Sequence, residues 1–252
     1  MSSGPTIAVV QARMTSSRLP GKALLELAGV PMLGRVVERL ERIQGIDSIV
    51  VAAPEGAAHD PIADYAEGLA GVGLVRGSED NVLERTANAV RATDAETVMR
   101  VTSDCPMIDP DISGAVLASY QSSGVTYARL AFEHGFPLGF DTEVFSAEAL
   151  LIAEREAEDP YELEHATPFI WRRPERFPAT YLDHYPDRRQ LRLVVDTPED
   201  FRFAEAVYNE FYPEIPDFRL VDLISLFDRR PELLAINRDI PQTPFVDAPE
   251  QR

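Results

Sequence analysis

Lysine, cysteine and tryptophan each occur once in these 252 residues, and positive charge as a whole is scarce: 24 lysines and arginines face 42 aspartates and glutamates, for a formal net charge of −18. The charge deficit disfavours nucleic acid or an anionic bilayer as a general partner, because the field of the whole chain repels both. Any anion must therefore be bound locally. A single cysteine, Cys105, excludes an intrachain disulfide and fits a reducing compartment. There is no 18-residue apolar run, and no charged segment leads into an apolar one at the start of the chain, so neither a membrane helix nor a signal peptide is expected. The expected location is the cytoplasm. Internal repeats and low-complexity linkers are missing too. Near-complete replacement of lysine by arginine fits either a GC-rich genome or a salty cytoplasm that screens self-repulsion.

What is present is an alternation of strand-length apolar runs with longer amphipathic segments. "IAVVQA", "DSIVVAAP", "GVGLVRG" and "ETVMRVTSD" read as strands. Between them "PMLGRVVERLERI", with Pro31 suited to a first turn, "HDPIADYAEGLA" and a stretch from Asp80 to Thr93 read as helices, and another starts near Asp109 to Asp111. This order predicts an α/β fold, a doubly wound, mostly parallel, Rossmann-like sheet with right-handed crossovers. Beyond Gly124 the pattern loosens. "VTYARL", "ATYLDHY" and "LRLVVD" read as strands; "SAEALLIAEREAE", "YELEHATPFIWRR", "PEDFRFAEAVYNEFY", "LVDLISLFD" and "PELLAIN" read as helical. A single domain over residues 1–240 is expected, with a middle insertion at about 124–189 that covers the site or builds an interface. Residues 241–252 read as a frayed tail.

In sheets of this kind ligands bind beyond the carboxyl ends of the strands. The first such end carries "QARMTSSRLPGK", with two arginines, three hydroxyl residues, a Pro-Gly and the sole lysine, Lys22. Guanidinium forks, an ammonium and hydroxyls bind phosphate oxygens, and Gly21 permits close backbone approach. Neither the P-loop pattern nor the dinucleotide glycine pattern is present. A solvated basic loop is the bland alternative; its position and the retained lysine favour phosphate. Asp104 ends the fourth strand, placed either to ligate a hard cation such as Mg²⁺ or to cap the next turn. Asp109 reads as a helix N-cap. Asp196 ends "LRLVVD" ahead of Pro198, and there Asp196 or Thr197 serves as cap, with Glu199 and Asp200 favourable in the first turn. Two strand-end carboxylates and a cationic loop form the set needed for metal-assisted phosphoryl or nucleotidyl transfer.

The segments "VQARMTSSRLPGK", "RGSEDNVLER", "RVTSDCPMIDP", "PLGFDTEVFSAEAL", "YELEHATPFI" and "LRLVVDTPEDF" occur in the order seen in the spore-coat polysaccharide cytidylyltransferase-like family. The chain resembles that family, a relative of the CMP-Kdo and CMP-sialic acid synthetases, from about Ile7 to Ile240. The resemblance implies a nucleotide-diphospho-sugar transferase-like fold and a CTP-dependent cytidylyltransferase that acts on an acidic sugar or similar acceptor, releases pyrophosphate and forms a homodimer. It implies that Ala12, Arg13, Ser17, Arg18 and Lys22 hold the nucleotide. Asp104 and Asp196 would hold Mg²⁺, and Arg76, Ser78 and Asn81 would lie near cytosine and ribose. Arg13, Arg18, Lys22, Asp104 and Asp196 are then the catalytic set. Pro137, Gly139, Asp141, Glu143, Glu164 and His165 would line the acceptor pocket. Ser103 departs from the glycine of many relatives. His165 is either a base or acceptor ligand or a structural helical residue; Cys105 reads as a packed small residue, and Trp171 as core or interface. Two alternatives stay open: a nucleotide-sugar glycosyltransferase, which calls for a D-x-D motif where this chain has "SDCP", and a non-catalytic nucleotide-binding protein.

Overall fold

A strand buried on both faces must alternate its side chains between two apolar layers. Thr6–Gln11 does so: Ile7 and Val9 enter one core, Ala8 and Val10 the other. The computed structural model describes residues 4–130, 133, 135–183 and 186–241. In chain order its elements are β1 (Thr6–Gln11), β2 (Glu26–Leu27), β3 (Val30–Pro31), α1 (Met32–Leu40), β4 (Ser48–Pro54), α2 (Asp60–Glu67), β5 (Val72–Gly77), α3 (Val82–Thr93) and β6 (Thr97–Thr102). There follow α4 (Pro110–Ser123), β7 (Tyr127–Leu130), β8 (Glu143–Ser146), α5 (Ala147–Glu156), α6 (Pro160–His165), α7 (Pro168–Trp171), β9 (Ala179–Leu182), α8 (Pro198–Phe211) and α9 (Leu220–Arg229).

Seven strands form one sheet in the order β5-β4-β1-β6-β8-β7-β9. The first four run parallel, β8 is antiparallel to both its neighbours, and β9 is parallel to β7. The expected doubly wound, mostly parallel sheet is therefore present. The chain leaves β1 toward β4 and β5 and then returns past β1 to β6. That reversal opens a crevice at the carboxyl ends of β1 and β6, the place where such sheets take ligands. Helices α1, α2, α4, α8 and α9 pack on one face, and α3, α5 and α7 on the other.

Local chemistry sets the ends of several helices. Asn81 Oδ1 accepts from Glu84 N at 2.9 Å to cap α3. Asp109 caps α4, accepting from Asp111 N at 2.9 Å, and also accepts from Leu220 N at 2.7 Å. Thr197 caps α8 in a reciprocal box with Asp200. Each cap satisfies amide groups that a helix start leaves without intrahelical partners.

Four expectations change. "LRLVVD" is not a strand: it is an extended, buried segment that shares one bridge between Leu138 and Arg192 and one rung from Val195 N to Asp104 O at 2.8 Å. Its apolar side chains are core, but among the described residues its backbone pairs with other segments only through that bridge and that rung. "YELEHATPFIWRR" divides into α6 and α7, because Ala166 turns at φ 66° and Pro168 has no N–H with which to continue the helical hydrogen bonding. "PELLAIN" forms a 3₁₀ turn, Pro231–Ala235. Pro31 precedes α1 as its N-cap and does not lie in its first turn. The end of "ATYLDHY" and the tail from residue 242 onward lie outside the described residues.

Candidate functional site

The loop after β1 is closed on itself. Gly21, at φ 72°, donates its N–H to Met14 O at 2.8 Å, a conformation that a side chain would disfavour. Met14 N in turn donates to Nδ1 of the buried His59 at 3.3 Å, whose Nε2 lies 3.1 Å from Glu79 Oε2; Glu79 also accepts from the Thr15 hydroxyl. A 3₁₀ turn, Lys22–Leu24, then carries the lysine inward.

Lys22 is 8% exposed, and its ammonium donates to Asp104 Oδ2 at 2.7 Å, Val195 O at 2.8 Å and Asp196 Oδ1 at 2.9 Å. An ammonium has three donors, and all three are used. Burial alone would lower its pKa, but the charges of Asp104 and Asp196 outweigh that and raise it above the ordinary lysine value. For Asp104 burial works upward, and Lys22 together with the Thr102 hydroxyl, 2.5 Å from Oδ1, holds it below the ordinary aspartate value. Asp196 Oδ2 receives Arg18 at 3.0 Å and Arg192 at 3.3 Å. Behind it the fully buried Asp200 binds Arg192 Nε and Nη2, both at 2.8 Å, Asp196 N at 3.0 Å, Thr197 N at 3.1 Å and Asn237 Nδ2 at 3.0 Å. The backbone of Asp196 is thus fixed by a satisfied buried carboxylate.

Two cavities meet at these carboxylates. One, of about 260 Å³, is lined by five cationic side chains, Arg13, Arg18, Lys22, Arg85 and Arg100, with Ala12, Ser17, Ser103 and Glu164 among the others. The second, of about 360 Å³, carries Arg129, Asp141, Glu143, Tyr161 and Trp171. Arg100, Thr102, Asp104, His165 and Asp196 line both. Arg100 spans the boundary, with Nη1 on Glu143 and Nη2 on Gln11 Oε1 at 2.8 Å. Burial and the nearby Asp104 push Asp141 up to about 6, and burial holds His165 below the ordinary imidazole value. Burial, reinforced by Asp104, also keeps Cys105 well above the ordinary thiol value, so it packs as a neutral thiol.

The structure brings Ala12, Arg13, Ser17, Arg18, Lys22, Asp104 and Asp196 together as one group. Asp141, Glu143 and His165 face the second cavity, whereas Glu164 lines the first. Pro137 and Gly139 line neither. Arg76, Ser78 and Asn81 also lie off both linings: Arg76 binds Asp60 at 2.7 Å, and Ser78 Oγ accepts from Asn81 N at 3.2 Å. Three lining arginines escaped the sequence reading. Arg85 stands within the quoted "RGSEDNVLER" on α3, and burial with the neighbouring Arg13 lowers its pKa to about 10. Arg100 and Arg129 sit mid-strand, where alternation marks a face but not a cavity.

The oxygens of Asp104 and Asp196 converge on one cation, the Lys22 ammonium, at 2.7 and 2.9 Å. A pair of hard oxygen donors suits Mg²⁺, which completes its shell with water and substrate phosphate. Among the described residues no group of three or more histidine, cysteine or acidic side chains is placed to hold a metal ion.

A family model described as "Cytidylyltransferase" matches residues 7–216. The chain is 31% identical over 233 residues to the spore coat polysaccharide biosynthesis protein SpsF of Bacillus subtilis, covering 89% of this chain and 94% of that protein. A cytidylyltransferase structure from Leptospira borgpetersenii superposes with a TM-score of 0.85 at 28% identity, covering 96% of this chain and 99% of that one. A CMP:2-keto-3-deoxy-manno-octonic acid synthetase complexed with CTP shares the fold, with a TM-score of 0.64 at 16% identity over 82% of this chain and 99% of that one. No helix among the described residues is long and apolar enough to cross a membrane.

Proposed function

Because the chain belongs to the cytidylyltransferase family, we propose that this nucleotidyltransferase is a Mg²⁺-dependent enzyme that moves CMP from CTP to an acidic sugar or similar acceptor and releases pyrophosphate. The observation that carries the reading is the shared wall: Asp104 and Asp196 border both a cavity rich in cations and a second cavity of mixed character. The first suits a triphosphate and the second an acceptor, so the two would meet at the carboxylates.

Arg13, Ser17, Arg18 and Lys22, joined by Arg85, take the triphosphate oxygens in this reading. Asp104 and Asp196 would hold Mg²⁺, which neutralises phosphate charge when bound. The acceptor oxygen attacks the α-phosphorus in line as the bond to pyrophosphate breaks, so positioning and charge stabilisation are the main tasks. Arg100, reaching into both cavities, lies where charge develops on the transferring group. His165 borders both cavities, and burial favours its neutral form, which can accept the acceptor's hydroxyl proton. Arg129 supports an anionic acceptor: its buried Nε has no hydrogen-bond partner among the described residues, and its guanidinium lies 5.8 Å from the Trp171 ring and 5.4 Å from that of Tyr181. Asp141 and Glu143 face the same space, with Glu164 across the boundary. Pro137 and Gly139 would act through the backbone that carries Asp141. The assignment of Arg76, Ser78 and Asn81 to cytosine and ribose gains no support from their present contacts. A homodimer built on residues 124–189 and a cytoplasmic site of action belong to the same proposal, the former checked by sedimentation equilibrium.

The test is pyrophosphate release from CTP and Mg²⁺ across a panel of sugar acids, phosphonates and neutral sugars. Asp104→Asn and Asp196→Asn are each expected to lower kcat by about 10²-fold or more. Wild-type rates in both would remove the metal roles. Calorimetric titration that shows CTP, ATP, GTP and UTP binding equally would sink the cytidine assignment.

A further inference from the structure

All four carboxylate oxygens of the proposed metal pair are already engaged. Asp104 Oδ1 accepts from Thr102 and Oδ2 from Lys22; Asp196 Oδ1 accepts from Lys22 and Oδ2 from Arg18 and Arg192. The lysine is equally committed, with its three donors on three protein oxygens and none directed at the adjoining cavity. We propose that Lys22 closes the metal site of the nucleotide-free enzyme, and that a bound triphosphate must draw its ammonium away before a divalent cation can take the Asp104 and Asp196 oxygens.

The proposal deepens the reading above and rests on it. Charge balance is its first support. Lys22 and Arg18 already neutralise the two carboxylates, so a divalent cation added beside them would leave two uncompensated positive charges in a partly desolvated site. A triphosphate reverses the balance: it brings several negative charges and offers the lysine new acceptors in a cavity that Lys22 itself lines. Donor chemistry is the second support. A compact ammonium on a flexible four-carbon stem can sit at cation-like distance between two carboxylates and then swing to phosphate, while a guanidinium is larger and planar and holds its donors in a fixed fork. The 23 other cationic residues of the chain are arginines. The exchange role gives a physical reason for one lysine at this position.

The sole lysine also supplies the test. Protein labelled with ¹⁵N-lysine has one side-chain ammonium resonance, and it reports Lys22 in the wild-type chain. Mg²⁺ alone is expected to leave that resonance in place; CTP alone, with inorganic tripolyphosphate as the minimal probe, is expected to move it. Mn²⁺ binding followed by electron paramagnetic resonance on nucleotide-free protein gives the complement. Lys22→Met is expected to bind Mn²⁺ at least about tenfold more tightly than wild type, and Asp104→Asn in that background is expected to abolish the gain. A resonance that moves with Mg²⁺ alone overturns the proposal, as does equal Mn²⁺ affinity in a folded Lys22→Met variant. If calorimetry shows CTP binding while the resonance stays fixed, the exchange fails and the cytidylyltransferase reading stands. If CTP fails to bind with or without Mg²⁺, the reading fails and the exchange falls with it.

Discussion

Asp141 holds its proton further up the pH scale than an ordinary aspartate, to about 6, because it is desolvated and faces the charge of Asp104. Its native pKa lies above its unfolded one, so the folded state binds more protons across the window between them. Stability therefore falls as pH rises from about 4 to about 6, and above that window the ionised group costs up to about 3 kcal/mol. Asp141→Asn is expected to stabilise the protein by about 1–3 kcal/mol at pH 7 and to lose that advantage as pH falls toward about 4. Urea denaturation at both pH values checks this. A gain that is the same at both would mean that packing or hydrogen bonding, not ionisation, sets the cost. The sequence marked Asp141 only through its motif. Its altered proton affinity comes from burial in the folded molecule and from Asp104, 37 positions earlier in the chain in the turn after β6.

The element that most affects the site is the extended segment from Leu191 to Asp196. Gly139 holds it closely: at φ 104°, a Cβ on Gly139 would stand 2.5 Å from Val194 N and 2.6 Å from Leu193 C. Gly29 has a similarly positive φ, 78°, but open space where its Cβ would be. Gly29→Ala is thus expected to cost about 1 kcal/mol in backbone strain alone. Gly139→Ala should cost more than about 2 kcal/mol and should also lower kcat, since the backbone it displaces carries Asp196. Equilibrium unfolding and pyrophosphate release on the two variants separate the effects; equal costs would show that the close approach has no energetic weight. The helical elements were readable because their caps and periodicities are local. The segment before Asp196 read as a strand because burial gives it the same apolar pattern that a strand has, and its hydrogen-bond partners lie far away in the chain.

Taken as a whole, the molecule sets a net charge of −18 against one cavity lined by five cationic side chains. Salt should therefore act in opposite directions on two measurements. Screening relieves self-repulsion and raises the melting temperature, while it weakens the attraction of the local cationic cavity for a triphosphate. Raising KCl from about 0.1 M to about 1 M shortens the screening length from about 10 Å to about 3 Å. Tm is expected to rise and the Kd for CTP to increase over that range, by calorimetry in both cases. A fall in Tm would mean that the exposed ion pairs outweigh the excess of negative charge.

By itself the sequence determined the alternating elements, the parallel sheet and the clustering of chemistry at strand ends, because periodicity, caps and residue type act over a few neighbouring positions. It also placed Arg13, Arg18, Lys22, Asp104 and Asp196 in one group. Only the tertiary structure decided what those groups do to each other. Lys22 meets Asp104 across 82 positions and Val195 across 173. Arg85, Arg100 and Arg129 become cavity walls only when strands and helices distant in the chain are packed. Hydrogen-bond saturation, desolvation and charge balance are properties of that three-dimensional arrangement. They turn a loop that reads as a phosphate cradle into one whose lysine is held by the two carboxylates.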